Sequence, residues 1–502
     1  MSAPEPILIG LDLGSTNLKG VATKADGSIV AIARRPMVVV HGANGAADFD
    51  LAALDRNVVA MLRELVDVLA GSGIPASAVA GIGVASIGEA FTGIDGSGNR
   101  LGPCPTWYDR RTAPGRQALG LSTKAWFEIT GMVDDDIYSV HRLRWWRAKN
   151  EGWFNRVKYW LMVSDYVVWL MTGVRSTSPS LAARSGMADR TKVDWSDEIL
   201  AAAGVERSSL PQILPAASVA GDVTEHFAAQ TGLVIGTPVV NAGHDHPCAG
   251  LGCGLVDPGQ VIDSTGTSEA MKSVLTHPLG FEELGGGLYD CYPHVVPGRW
   301  LLSGHIPSGG GLLDWLVQLL SGPVPDAESA ERLWEMAEAA PAGAEGAVVE
   351  PFLSGTGQPL NQRDRRAVIS GLSGDVGAGE ILRAGTEALA GWVSANLALF
   401  ERFTGHVVSE LILTGGGARN TLSNRIKAAL INRPLLLPQA DETAGLGAAL
   451  VAGIGAGVFP TPTSAAARPA IAVIRVEPDP ALVAAYEPLH ARLTQPWAQA
   501  DV

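Results

Sequence analysis

Short apolar runs that alternate with one long helical pattern predict a mixed α/β unit at the start of the chain. Residues 7–36 form three short apolar stretches, and Asp26 and Gly27 between two of them indicate a hairpin turn. From Asp50, which can cap a helix, leucine, valine and methionine recur at helical spacing as far as Leu69. A buried strand is predicted at residues 80–85. The order strand, strand, strand, helix, strand is typical of half of a mixed α/β domain.

The second half of the chain repeats this scheme. Its predicted elements are, in order, a hairpin from Val261, a strand at 300–303, a helix from about Gly379, a strand at 410–414 and a helix from about Asn420. Between the halves, residues 107–235 are rich in tryptophan and helical patterns, which predicts a cap around a pocket, and residues 238–242 predict a buried strand. A boundary near residues 248–256 divides the chain into two expected domains, 1–250 and 251–502.

Each half carries a hairpin turn rich in glycine and hydroxyl groups. The first is the sequence DLGST at residues 12–16, and the second is DSTGTS at residues 263–268. Glycine lets the backbone approach an anion closely, and successive N–H groups form a positive concavity. Two such turns predict a duplicated fold that closes on a nucleotide from both sides. The residues expected to contact phosphate are Gly14, Ser15, Thr16, Gly266, Thr267 and Ser268.

Other residues extend this predicted nucleotide site. Asp12, at the end of a strand, would hold Mg²⁺ through water, because hard cations prefer oxygen ligands. Lys19 either reaches a phosphate oxygen or is an ordinary exposed strand lysine. Two glycine runs precede helices and could lie against the nucleotide: Gly310 and Gly311 near adenine or phosphate, and Gly415, Gly416 and Gly417 near adenosine.

An aspartate between two histidines follows the predicted strand at 238–242. Asp245 could accept the proton of a hydroxyl group whose oxygen attacks a phosphoryl group. Two alternatives remain open for this segment. His244 and His246 could bind zinc, although no third ligand is near in sequence, or Asp245 could simply cap the next helix.

A sugar site is predicted where carboxylates and an aromatic face come together. Glu89 follows the strand at 80–85, and a carboxylate there would bond to sugar hydroxyls. Trp107 and Asp109 lie in the segment WYDRR, which joins an aromatic surface to charged groups. Each residue alone is more often structural, so the prediction rests on their combination.

Composition limits the partners of this chain. Its 502 residues are enough for two domains, and 47% hydrophobic with 18% charged residues is typical of a folded globular protein. A net charge of −14 argues against nucleic acid or an anionic membrane as partner. The four cysteines lack the spacing of a disulfide framework, and neither a signal peptide nor an apolar run of membrane-spanning length is evident. A cytoplasmic protein is expected, and a homodimer is permitted but not required.

The ordered motifs resemble those of the FGGY carbohydrate kinases, from about residue 7 to 460. The turn at 12–16 is similar to the family's first phosphate motif, and residues 107–112 are similar to its Trp-x-Asp-x-Arg-Thr segment. Residues 139–145 resemble its first signature, with Arg142 where lysine is usual. Asp245 lies where the family has its catalytic aspartate, and residues 413–420 resemble its adenosine motif.

The resemblance implies two actin-like, ribonuclease-H-type domains that flank a nucleotide and sugar cleft. It implies transfer of the γ-phosphoryl group of ATP, with Mg²⁺, to a hydroxyl of a sugar or polyol. Asp245 would then be the general base, Asn420 would face adenosine with the neighbouring glycines, and His244 and His246 would flank the substrate with Glu89.

The resemblance leaves the acceptor open. The Gly-Gln-Met-His segment usual in xylulokinases is replaced by Ser-Ile-Gly-Glu at residues 86–89, and Gly88 stands where glycerol kinases carry arginine. The segments around Asp245 and 415–420 look closer to L-fuculokinases. A five- or six-carbon ketose or polyol is expected, with a glycerol-like polyol or an aldonate as the alternative. From other classes, an actin-like ATPase without sugar kinase activity and a catalytically inactive sugar sensor remain rivals.

Overall fold

The computed structural model of the chain describes residues 5–109, 111, 119–149, 152–322, 325–440, 442–466 and 471–497. The strands are β1 (Ile7–Leu13), β2 (Asn17–Lys24), β3 (Ile29–Pro36), β4 (Val39–His41), β5 (Ala47–Phe49), β6 (Val79–Ser86), β7 (Phe91–Ile94), β8 (Arg100–Leu101), β9 (Tyr159–Met162), β10 (Ser176–Thr177), β11 (Ala188–Asp189), β12 (Asp194–Trp195), β13 (Gln212–Ile213), β14 (Val219–Asp222), β15 (Pro238–His244), β16 (Val261–Thr265), β17 (Glu269–Leu275), β18 (Asp290–Pro293), β19 (Trp300–Ile306), β20 (Val348–Glu350), β21 (Val368–Ser370), β22 (Leu411–Thr414), β23 (Leu435–Pro438) and β24 (Val473–Val476).

The helices alternate with these strands. They are α1 (Leu51–Gly71), α2 (Thr123–Thr130), α3 (Ser139–Lys149), α4 (Val163–Thr172), α5 (Pro179–Ala183), α6 (Asp197–Ala203), α7 (Glu225–Thr231), α8 (Asp245–Gly252), α9 (Gly309–Ser321), α10 (Ala327–Ala339), α11 (Ala378–Thr404), α12 (Thr421–Ile431), α13 (Thr443–Gly455), α14 (Pro462–Ala466), α15 (Pro480–Tyr486) and α16 (His490–Thr494). Within the described ranges, no helix combines the length and the apolar character needed to cross a bilayer.

The first half is built on a six-stranded mixed sheet with the strand order β14-β15-β6-β1-β2-β3. Its central strand β1 pairs antiparallel with β2 and parallel with β6. The predicted helix cap is present, since the Asp50 carboxylate accepts from the N–H groups of Ala52 and Ala53 at 2.9 and 3.0 Å. All nine residues that α1 buries are aliphatic or methionine, so this helix covers one face of the sheet.

The second half repeats the same pairing in a seven-stranded sheet with the order β18-β19-β17-β16-β22-β23-β24. Strand β16 pairs antiparallel with β17 and parallel with β22, as β1 does with β2 and β6. The long helix α11 buries seventeen residues, many of which belong to the hydrophobic core of this half. The duplication that the two hairpin turns predicted is therefore present, and the fold is a two-domain α/β architecture.

One helix of the second half lies on the sheet of the first. Helix α13 packs on β1 and β6 and crosses α8, and glycines let the backbones touch. A Cβ added to Gly447 would lie 1.8 Å from the carbonyl oxygen of Cys248, and one added to Gly10 would lie 1.9 Å from that of Gly445. Side chains at these positions would push the helices and the sheet apart. Residue 250 therefore divides the sequence into two halves but does not divide the packing, because α13 of the second half lies on the sheet of the first half.

Candidate active site

A cleft of about 550 Å³ lies between the two sheets. Its walls come from both halves of the chain and from the segments 133–138 and 354–363. The predicted site residues that line it are Ser15, Glu89, Trp107, His244, Asp245, His246 and Ser268. The fold thus brings these residues, which lie up to 253 positions apart in sequence, to one cleft.

Asp245 begins helix α8 directly after strand β15, at the cleft. Its Oδ1 accepts a hydrogen bond from the His246 N–H at 2.7 Å and lies 3.2 Å from Nε2 of His244. Burial, together with the nearby carboxylate of Asp12, raises the pKa of Asp245 to about 8, while the His246 N–H and Lys272 oppose the shift. A carboxylate with a pKa near neutrality can take up and release a proton, which suits a general base. The capping alternative does not hold, because His244 occupies the N-cap position, Asp245 is the first residue of α8, and no side chain caps this helix.

Glu89 is held in an unusual backbone conformation. Its φ is +62°, and the N–H of Ala90 donates to the Gly88 carbonyl at 2.7 Å, which makes a tight three-residue turn around it. Such a conformation is costly for a residue other than glycine and is concentrated at functional sites. The turn directs the Glu89 carboxylate to Arg184, whose Nε donates to Oε1 at 2.5 Å.

Arg184 is a cleft residue that the sequence did not predict. It is contributed by the segment just after α5, and its guanidinium lies between Glu89 and the carboxylate of Asp290, with 3.8 Å from Nη1 to Asp290 Oδ2. These partners are 95 and 106 positions away in sequence, so no local pattern relates them. The only available signal was a single arginine in an otherwise apolar and small-residue stretch.

The first phosphate turn reaches the cleft through Ser15, and the carboxylates of Asp12 and Glu442 lie near it. Asp12 is buried, and its Oδ1 has no hydrogen-bond partner among the residues that the structure describes. Its pKa is raised to about 6 by burial, partly offset by Lys19, with a further rise from Glu442. Lys19 lies 3.0 Å from Glu442 and 4.0 Å from Asp12, so its ammonium is shared within this group. Gly14, Ser15 and Thr16 follow in the turn, where Ser15 Oγ accepts from the Trp107 indole at 3.0 Å.

The second phosphate turn is braced by the start of α9. The N–H of Gly310 donates to the Gly266 carbonyl at 2.8 Å, and that of Gly311 to the Thr267 carbonyl at 2.9 Å. These glycines were expected to precede a helix and instead form its first turn, because their N–H groups bond the hairpin turn. Gly266, Thr267 and Ser268 are themselves exposed, so the surface of this turn is accessible to a ligand.

The glycine run at 415–417 approaches the second hairpin. Gly415 has a φ of +89°, and a Cβ there would lie 2.2 Å from the Thr265 carbonyl oxygen. A Cβ on Gly417 would lie 2.8 Å from the Thr265 hydroxyl, whereas Gly416 has open space around it. Asn420 caps α12, since its Oδ1 accepts from the Ser423 N–H at 2.9 Å. This run thus packs on the phosphate turn, with Gly416 facing an open space.

The second hairpin carries a buried charge cluster of its own. Lys427 of α12 donates to Asp263 at 2.7 Å and also contacts Glu269. Asp263 is the first residue of the second turn sequence, as Asp12 is of the first. Each aspartate leaves its Oδ1 without a hydrogen bond among the described residues, but Asp263 is paired closely with a buried lysine, whereas the ammonium of Lys19 lies 4.0 Å from Asp12.

Asp109 is placed differently from the other predicted sugar-contacting residues. Its carboxylate accepts from the Ala47 N–H at 3.0 Å and from Arg111 Nη2 at 2.6 Å, and it does not line the cleft. These partners hold its pKa below the usual value despite partial burial. The neighbouring residues 110 and 112 of the quoted motif lie outside the described residues.

The metal alternative at the histidines keeps a geometric basis. One ligand atom from each of His244, Asp245 and His246 can be chosen so that all lie within 4.8 Å of one another. Burial lowers the pKa of His244 well below its usual value, which favours the neutral form that binds metals. The arrangement provides three ligands, the number that catalytic zinc sites use together with water.

Comparisons with known proteins find carbohydrate kinases along most of the chain. Residues 7–252 match the model of the FGGY carbohydrate kinase N-terminal domain, and residues 263–456 match that of the C-terminal domain. The chain is 28% identical over 484 residues to L-fuculokinase of Escherichia coli (strain K12), covering 92% of this chain and 95% of that one. It is 29% identical to glycerol kinase of Citrifermentans bemidjiense, covering 91% and 92%. The crystal structure of xylulose kinase from Rhodospirillum rubrum superposes with a TM-score of 0.86 at 26% identity, covering 98% of each chain.

Proposed function

The chain belongs to the FGGY family of carbohydrate kinases, phosphotransferases with an alcohol acceptor, and on that premise we propose that it phosphorylates a ketose or polyol with ATP. A pentulose or hexulose is the favoured acceptor. The observation that carries this proposal is Asp245, with its raised pKa, in a cleft lined by Glu89 and by residues of both phosphate turns. An actin-like ATPase without a sugar acceptor would need the two phosphate turns, but it would not need the carboxylates of Glu89 and Asp245 in the cleft.

In this mechanism Asp245 receives the proton of the acceptor hydroxyl. The hydroxyl oxygen forms a bond to the γ-phosphorus of ATP, the bond from that phosphorus to the bridging oxygen breaks, and ADP leaves with the electron pair. Glu89, held by Arg184, would accept hydrogen bonds from other hydroxyls, and Trp107 would present its indole to the carbon chain. His244, neutral because of burial, would line the substrate pocket and orient Asp245 with its one N–H, at Nε2.

The nucleotide would lie between the two hairpin turns. The residues proposed to contact phosphate are Gly14, Ser15, Thr16, Lys19, Gly266, Thr267 and Ser268, with Gly310 and Gly311 bracing the second turn. Gly415, Gly416 and Gly417 leave room for adenosine, and Asn420 would face it from the end of α12. We thus assign residues 1–250 to sugar binding and the first phosphate contacts, and residues 251–502 to the second phosphate and adenosine contacts.

The acidic group at the first turn fits a divalent cation. The unpartnered Oδ1 of buried Asp12 is the observation that supports it, because a carboxylate oxygen is a preferred ligand of Mg²⁺. Asp12 would hold the ion through water, and it lies close enough to Asp245 for its carboxylate to contribute to the raised pKa of Asp245. Bound Mg²⁺ would neutralise charge on the phosphate oxygens.

The pH dependence of turnover should follow Asp245. A base works only when deprotonated, and its pKa is raised to about 8, so activity should increase as pH rises through that value. We expect kcat/KM for the acceptor to fall roughly tenfold per pH unit well below the pKa. Initial rates between about pH 6 and pH 9 at saturating Mg²⁺ would measure this. A flat profile across that range would exclude a single base with a raised pKa.

The test of the function is ADP formation with ATP and Mg²⁺ across pentuloses, hexuloses, deoxyketoses, polyols, glycerol and aldonates. One strong responder would support the proposed reaction and identify its acceptor. Strong turnover with glycerol would move the assignment to the short-polyol alternative. Hydrolysis of ATP that no acceptor stimulates would favour the actin-like ATPase instead.

A further inference from the structure

One buried lysine faces the cleft from the sheet of the second half. Lys272 lies on β17 and is only 4% exposed, yet it is among the residues that line the cavity. It is opposite Ser303 of β19, which is in turn opposite Asp290 of β18. These three positions form one polar row across the sheet, and all three line the cavity.

Lys272 is unlike the arginines of the same cavity, because those are already paired. Arg184 holds Glu89 and lies near Asp290, and Arg363 lies 3.1 Å from each of Asp135 and Asp136. Among the described residues, Lys272 has neither a hydrogen bond nor a carboxylate within 4.0 Å. An ammonium group that faces the cleft without a protein partner is available to donate to an oxygen of a ligand bound there.

The position of Lys272 separates it from the phosphate end of the cleft. It is three residues beyond Glu269, the first residue of β17, which is roughly 10 Å along the strand. Burial lowers the pKa of Lys272 to about 8, helped by the charge of Arg184 and opposed by that of Asp245. The group is thus still largely protonated near neutral pH and able to donate three hydrogen bonds.

We propose that Lys272 is a specificity-determining residue that donates to an acceptor-only oxygen of the substrate, the carbonyl of an open-chain ketose or the carboxylate of a sugar acid. The inference rests on the proposed kinase function and narrows its acceptor. An ammonium group has donors only, so it matches an oxygen that carries no proton. The hydroxyls of a polyol can donate hydrogen bonds, and the carboxylates of Glu89 and Asp245 are already present to accept them.

The experiment compares Lys272→Met with wild type on matched acceptors of equal carbon number. The five-carbon set is xylulose, xylonate and xylitol, and the six-carbon set is fructose, gluconate and sorbitol. Where the ketose or the acid is a substrate, kcat/KM should fall about tenfold to a hundredfold in the variant, because a charge-assisted hydrogen bond is lost. Activity on the polyol should change little. Lys24→Met, at an exposed lysine paired with Glu5, is the matched control.

The outcomes separate the two proposals. If the wild type phosphorylates a carbonyl compound and Lys272→Met does so equally well, the role of Lys272 is overturned while the kinase function stands. A clear preference of the wild type for the polyol over the matched ketose and acid would have the same meaning. A wild-type enzyme that phosphorylates no acceptor would overturn the kinase function, and ligand-induced shifts in melting temperature would still test Lys272. The role of Lys272 would then be contradicted if carbonyl compounds gave the wild type no specific shift in melting temperature, or if that shift were retained in Lys272→Met.

A folding control keeps this test decisive. Lys272→Met removes a buried charge without a partner, so its melting temperature without ligand should equal or exceed that of the wild type. If the variant does not fold, Lys272→Gln keeps a donor of similar reach and should show a smaller loss on the same carbonyl compounds. An equal loss on carbonyl compounds and polyols in that variant would identify a structural role and overturn the inference.

Discussion

An Asp245→Asn enzyme should turn over roughly 10²- to 10⁴-fold more slowly than the wild type, because the acceptor hydroxyl loses its proton acceptor. Asparagine keeps an oxygen that can accept from the His246 N–H, so helix α8 should still begin at this residue. The variant should also fold at least as stably at neutral pH. Its amide replaces a carboxylate whose charged form is disfavoured by burial and by Asp12.

Three measurements check this expectation. Single-turnover rates should fall, ATP affinity measured by calorimetry should stay within a few-fold, and the melting temperature should not decrease. Asp257→Asn, an exposed aspartate in the loop after α8, is the matched control and should behave as the wild type. Turnover of Asp245→Asn within about threefold of the wild type would remove the carboxylate from the chemical step.

The second large effect is expected on stability, from Gly447→Ala. The added methyl group would lie 1.8 Å from the Cys248 carbonyl oxygen, a contact between two helix backbones that no side-chain rotation relieves. Helices α8 and α13 would have to separate, and the packing of α13 on β1 and β6 would be disturbed. We expect a loss of about 3 kcal/mol or more in the free energy of unfolding.

Gly71→Ala provides the comparison for that substitution. Gly71 ends helix α1, and a Cβ there would meet nothing within 4 Å. Its stability should change by no more than about 0.5 kcal/mol. Urea unfolding followed by tryptophan fluorescence would compare the two variants with the wild type. Equal midpoints for Gly447→Ala and Gly71→Ala would mean that the crossing is looser than its geometry indicates.

The sequence predicted those parts of the molecule whose signals are local. The hairpins at 7–36, the capped helix after Asp50 and the aspartate at the end of β15 each depend on neighbours within a few positions. The same property explains why the repeated hairpin could be recognised from residues 263–268. Local hydrogen bonding and hydrophobic alternation determine these elements before the chain folds on itself.

The remaining features depend on pairings across the fold. Arg184 and Glu89 lie 95 positions apart in sequence and meet only in the folded chain, and Lys272 faces the cleft because strand alternation turns it there. Asp109 shows a second limit of local patterns. Its position next to an aromatic pair favours a sugar contact, but its carboxylate already accepts hydrogen bonds from Arg111 and from a backbone N–H. Composition of a short segment does not reveal which of its groups are already satisfied.

The buried lysine of the second hairpin has a consequence for how a nucleotide would be oriented. The two hairpins share the same antiparallel pairing, and a cleft with two equivalent ends would accept a chain of phosphates in either direction. Lys427 removes this ambiguity, because it pairs with Asp263 at 2.7 Å, whereas the ammonium of Lys19 lies 4.0 Å from Asp12, so the charge of Asp12 is the less neutralised one and the one available to a cation. One side chain thus breaks the symmetry of the duplicated fold and gives the cleft a polarity. We expect the γ-phosphate to be directed toward the first turn and Asp245 for this reason.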